Sequence, residues 1–208
     1  MRARATAATA VILLAALTGC GGSDEGSDTA ETPTAAAAEP DPSGQPTAGQ
    51  VEEGMQLGDP AQTAGDGGIG VLQITPDTVV FVKEATGETP ANGVFAVVAM
   101  KDKAMTGAAA DEVAPISGGG WKWMAPDGEM VGWDSGNATG VTPDKYSNAE
   151  PIQPGAWQWR SQTFDLTPAQ AEGGTLIYVD GNEAAHRWEM PTTDSGPNAA
   201  DLKKRLTS

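Results

Sequence analysis

Gly93-Val94-Phe95-Ala96-Val97-Val98-Ala99-Met100 is the stretch that decides the fold. It holds no polar side chain, so it cannot alternate between core and water. A short apolar run of this kind reads as a central strand covered on both faces. The surrounding chain is built in the same way. β-rich runs recur at Gly70–Thr75, Thr78–Lys83, Gly120–Met124, Met130–Asp134, Ala156–Leu166, Thr175–Asp180 and Ala185–Met190, and period-3.6 stripes are scarce. Turn chemistry separates them. Pro76-Asp77 divides the first two runs, and Asp180-Gly181-Asn182 closes the last hairpin. Ala125-Pro126-Asp127-Gly128 reads as a type I turn, with Pro pre-setting the backbone and Gly taking the left-handed position. Many short strands with such punctuation predict an all-β antiparallel sandwich over residues 68–191.

One strand conflicts with its own parity. Trp157 and Trp159 share one face by alternation, while Phe164 and Leu166 have the opposite parity. A bulge near Ser161–Thr163 would turn all four to the core. Without one, one pair faces water or a partner. The segments Ala104–Gly119 and Ser135–Pro154 read as long loops, the first with a short helical turn at Ala108–Glu112. Residues 192–208 read as a flexible tail with a turn of helix at Ala199–Leu206, where Lys203, Lys204 and Arg205 suit a helix C-terminus.

The chain has 208 residues and a net charge of −16. That charge excludes a nucleic-acid binder working through a basic face. One Cys and one His exclude an intramolecular disulfide and leave little for a metal centre. Residues 20–67 read as a disordered acidic tether rich in Ala, Pro, Thr and Gly. Between Gly21 and Gly65 there are nine acids and no Lys or Arg, with too little apolar surface to offset the entropy of ordering. Such a coil would average about 35–40 Å end to end and could stretch to about 150 Å.

The first nineteen residues read as a signal peptide. Arg2 and Arg4 start it, and Ala5–Leu17 forms an apolar stretch too short to span a bilayer. Leu17-Thr18-Gly19-Cys20 resembles the bacterial lipobox. That resemblance implies cleavage between Gly19 and Cys20 and fatty acylation of Cys20, including its thiol. Two acyl chains give stable anchoring, at about 0.8 kcal/mol per buried CH₂. The implied location is the extracytoplasmic face of the cell membrane.

Candidate chemistry is sparse. Trp121/Trp123 and Trp157/Trp159 are i,i+2 pairs, so each stands on one face of a strand. They either fill the core or form an exposed platform for sugar rings or a protein partner. Trp133 and Trp188 read as core. His186 would need Asp180, Glu183 or Glu189 beside it to hold a metal, and no metal is expected. Asp127, Asp134, Asp165 and Asp180 are the candidates for a hydrolytic carboxylate pair, although carboxylates at turns more often cap backbone amides. Gly118-Gly119-Gly120 reads as a flexible approach to a strand, not a phosphate cradle. There is no nucleophile elbow, P-loop or C-x-x-C, and no catalytic residue or cofactor is expected.

Several of these pieces also carry a family resemblance. They are Gly70 and Pro76 in the opening strand, Gly93–Val98, Trp121–Gly128, Pro154-Gly155 ahead of Phe164-Asp165-Leu166, and Leu176-Ile177-Tyr178. With them the chain resembles Gram-positive, especially actinobacterial, lipoproteins of unknown function with an immunoglobulin-like β-sandwich. A secreted mycobacterial immunoprotective antigen is similar in fold. The resemblance implies fold and location. The expected function is a non-catalytic binding or scaffolding module, its partners the membrane and an unknown envelope protein or glycan. The alternative is a carbohydrate-binding module using exposed Trp pairs.

Overall fold

A computed structural model describes residues 54–113 and 119–207. The signal segment, Cys20 and most of the tether lie outside the described residues. The strands are β1 (Met55–Gln56), β2 (Ala61–Ala64), β3 (Val71–Val82), β4 (Val94–Ala104), β5 (Gly120–Met124), β6 (Met130–Gly132), β7 (Trp157–Leu166), β8 (Thr175–Val179) and β9 (Ala185–Glu189). One helix, α1 (Ala199–Leu206), follows. They form two sheets, ordered β1-β9-β8-β5-β6 and β2-β3-β4-β7. The architecture is the expected β-sandwich of two facing sheets. One pairing departs from an antiparallel plan, because β1 runs parallel to β9.

The decisive strand behaves as its composition demands. Ala96, Val98 and Met100 of β4 face the other sheet and join Leu72, Ile74, Trp121, Trp123, Phe164, Leu176 and Trp188 in the inter-sheet core. Phe95, Val97 and Ala99 face outward into a second cluster with Val80, Tyr146, Leu202 and Leu206. Burial on both faces explains the unbroken apolar run.

Pro76-Asp77 is not a turn between two strands. β3 is continuous, and its register against β4 shifts between Pro76 and Thr78. A bulge there inserts one residue, so Leu72 and Ile74 before it and Val79 and Phe81 after it share the core side. Pro76 has no N–H to offer the ladder, which makes this the natural place for the interruption. β7, where parity suggested a bulge, pairs with β4 without one.

The sandwich extends past the expected 68–191 limits on both sides. β1 and β2 arise from residues assigned to the tether. The Gln56 side chain donates to Glu189 at 2.8 Å, and β2 pairs with β3 from Ala61↔Ile74 to Ala64↔Val71. The tail is packed rather than flexible. α1 has its expected bounds, and Leu202 and Leu206 are buried against the outer face of the second sheet. Ser195 bridges to Val79, and the Asp194 carboxylate accepts from the Phe81 amide at 2.8 Å. The sequence shows only two large apolar residues four apart in a charged segment, and that pair docks the helix with Ala199 beside it.

The two long loops are joined. Ala110 and Ile152 exchange backbone hydrogen bonds of 3.0 and 2.8 Å, so Ala108–Glu112 forms a bridge rather than a helical turn.

Candidate functional site

The two Trp pairs have opposite surroundings. β5 lies between β8 and β6, and its odd positions face the core. Trp123 is 0% exposed and Trp121 2%. Trp123 Nε1 donates to the Gln170 carbonyl at 2.9 Å, and Gly174 lies so close that a Cβ there would enter the indole. Trp121 Nε1 donates to Glu112 at 2.8 Å, and its ring packs 4.6 Å from Tyr178. Trp121 and Trp123 are therefore core and not ligand residues, because every polar group they carry is already satisfied inside. Trp188 is also core, while Trp133 is half-buried.

β7 is the edge of its sheet, and its inward positions are taken by Phe164 and Leu166. Trp157 and Trp159 therefore point outward. Trp157 is 48% exposed, and Trp159 is half-buried against the outer cluster. Their rings meet edge-to-face at 5.8 Å, and Tyr146 packs on Trp159 at 5.6 Å. Register places Lys103 beside Trp157 and Lys101 beside Trp159. The Lys101 ammonium lies diagonally over the Trp157 ring, 4.4 Å from its centre.

Lys145 frames the other side of Trp159. Its φ of 76° is uncommon for a residue with a side chain, and Asn148 holds it there by donating to both the Lys145 and Trp159 carbonyls. Its ammonium sits 5.3 Å from the Trp159 ring centre and 3.0 Å from Asp201. Hydrogen bonds to Tyr146 and Asp201 raise its proton affinity. The bonds to Arg205, Lys145 and Tyr146 hold the Asp201 carboxyl well below the usual carboxylate range. This face offers indole surface and ammonium charge, with the Tyr146 hydroxyl donating to Asp201 at 3.0 Å behind them.

The candidate carboxylates are structural. Asp165 is fully buried and accepts from the Ala91, Asn92 and Asn137 amides at 2.7 to 2.9 Å, stapling two loops to β7. Gly136, at φ 54°, leaves room for this; a Cβ there would strike the carboxylate. Asp180 accepts from the Ala64, Asn182 and Ala184 amides and lies 3.3 Å from His186 Nε2. Asp127 caps Glu129 in the expected type I turn, where Gly128 donates to the Ala125 carbonyl at 2.9 Å. Asp134 is exposed. No hydrogen bond joins any two of these four. Among the described residues, no three His, Cys, Asp or Glu side chains cluster so as to hold a metal.

Sequence reasoning missed a buried ionic group. Asp102 of β4 and Arg160 of β7 lie on the core parity of their strands, and Asp102 is 0% exposed. Arg160 reaches Asp111 at 2.6 Å, Asp102 at 3.8 Å, Glu112 at 4.0 Å and the Glu150 carbonyl at 2.8 Å. It thus pins both long loops to one end of the sandwich. Burial and the nearby Glu112 charge push the Asp102 carboxyl well above its ordinary range, and burial with Glu112 likewise raises Tyr178. The signal was present in the sequence. Asp102 continues the inward series Ala96, Val98, Met100, and Arg160 precedes Phe164 and Leu166 at the same parity.

No family model and no curated protein matches the chain. Among solved structures, MPT63, a secreted protein from Mycobacterium tuberculosis, aligns with a TM-score of 0.45 and 18% identity, over 65% of this chain and 95% of that one. The yjhA protein from Bacillus subtilis aligns with a TM-score of 0.46 and 7% identity, over 65% of this chain and 99% of that one.

Proposed function

We propose that this protein is a non-catalytic binding module of the cell envelope, held on the extracytoplasmic face of the membrane by a lipid on Cys20. The contact surface is the outward face of β4 and β7 around Trp157 and Trp159. The exposed Trp157 indole carries this reading. A large aromatic ring half in water with a cation on its face is the kind of side chain that anchors binding surfaces. The acidic tether gives the module reach from the lipid, and the rigid sandwich fixes the spacing of the two rings.

A glycan is favoured as the occupant by one feature. The indoles stand beside Lys and amide side chains on a sheet face, which offers stacking for a sugar ring together with donors for its hydroxyls. The test is tryptophan emission of the full chain on titration with solubilised cell-wall glycans. A saturable shift that disappears in Trp157→Ala supports the reading. A shift unchanged in Trp157→Ala removes this face from it.

A further inference from the structure

The uncovered half of the second sheet has an order of its own. Register aligns Gln62, Gln73, Lys103 and Trp157 in one row across all four strands. Thr75, Lys101 and Trp159 form the next row. At about 4.8 Å per strand, the longer row spans about 14 Å. Every residue in both rows is exposed or half-buried, and neither row contains a carboxylate. Lys101 and Lys103 enter no ion pair among the described residues. Against a net charge of −16 these two rows carry only positive charge, while Asp77, whose carboxylate feels Lys101, and Asp201, paired with Lys145, lie beside them.

We infer that this face selects an anionic polysaccharide, one whose sugar rings bear carboxylates. The inference rests on the glycan-binding reading above and adds the charge of the ligand. The rings would stack on Trp157 and Trp159, the carboxylates would meet Lys101 and Lys103, and Gln62, Gln73 and Thr75 would bond hydroxyls. A peptide fits less well. Clefts of 250 to 660 Å³ among the described residues, where a peptide side chain could anchor, are lined by residues other than Lys101, Lys103, Trp157 and Trp159. A flat sugar ring needs only a flat indole.

The experiment uses the full chain with polygalacturonate, its methyl-esterified neutral form and inorganic polyphosphate. Affinity electrophoresis and tryptophan emission are the readouts, with melting curves to check each variant's fold. Polygalacturonate is expected to bind, more weakly at high salt. Lys101→Ala/Lys103→Ala should weaken it about tenfold, and Trp157→Ala should abolish the emission shift. Equal binding of the methyl ester overturns the anionic selection and leaves a neutral-glycan module standing. Equal binding of polyphosphate, insensitive to Trp157→Ala, overturns it in favour of plain charge attraction. No binding of any polymer overturns both this inference and the glycan reading beneath it.

Discussion

Trp121/Trp123 and Trp157/Trp159 have the same spacing and comparable strand contexts, yet one pair is core and the other is surface. Spacing fixes that two side chains share a face; it does not say which face. The neighbours decide. In β5 no other large apolar residue competes for the inward side. In β7 Phe164 and Leu166 hold it, and an unbroken register leaves the two indoles outside. The surface pair is then available for contact, while the core pair is committed to stability.

Stability should separate the pairs most clearly. Trp123→Ala empties a fully buried site and should cost roughly 3–5 kcal/mol in urea unfolding. Trp157→Ala should cost no more than about 1 kcal/mol. Similar losses would break the distinction.

The inward face of β7 offers a second, smaller test. Arg160→Ala leaves Asp111 and Glu112 without their guanidinium and should cost about 3 kcal/mol. Adding Asp102→Asn should recover part of it. The same carboxyl gives a pH signature. Its folded proton affinity is raised above the ordinary value of 3.8, so the folded state binds more protons than the unfolded state as pH climbs from there. Its contribution is therefore full at acid pH and lost as pH rises through the folded value. Asp102→Asn should flatten that decline, measured by urea midpoints across pH.

The smallest effect sharpens the comparison without perturbing the fold. Iodide quenching of tryptophan emission should fall most in Trp157→Phe and scarcely in Trp123→Phe. A large fall in the latter would place the wrong pair in water.

Much of the fold was legible in the sequence because alternation and turn residues are local signals. The strands around Val94–Met100, Gly120–Met124 and Thr175–Val179 follow directly from them. The parity conflict in β7 was legible too, but its resolution was not. A bulge does change parity in this sheet, in β3 at Pro76-Asp77, where Leu72/Ile74 and Val79/Phe81 already differ by one step. β1 and β2 were hidden because Met55-Gln56 and Ala61–Ala64 carry little apolar weight and gain it only by pairing with distant strands. The same holds for the tail, whose Leu202 and Leu206 acquire meaning from the outer cluster. At the candidate site, Trp157 and Trp159 were visible as a pair. Lys101 and Lys103 join them only through the β4–β7 register, a relation across more than fifty residues.

The most direct test of the central claim is photocrosslinking in the native envelope. A photoreactive residue at Lys103, beside Trp157, is compared with one at Met130, which is 47% exposed on the other sheet. The account predicts envelope adducts at position 103 well above those at 130, lost when Trp157→Ala is added. Equal yields at both positions, or none at 103, would contradict it.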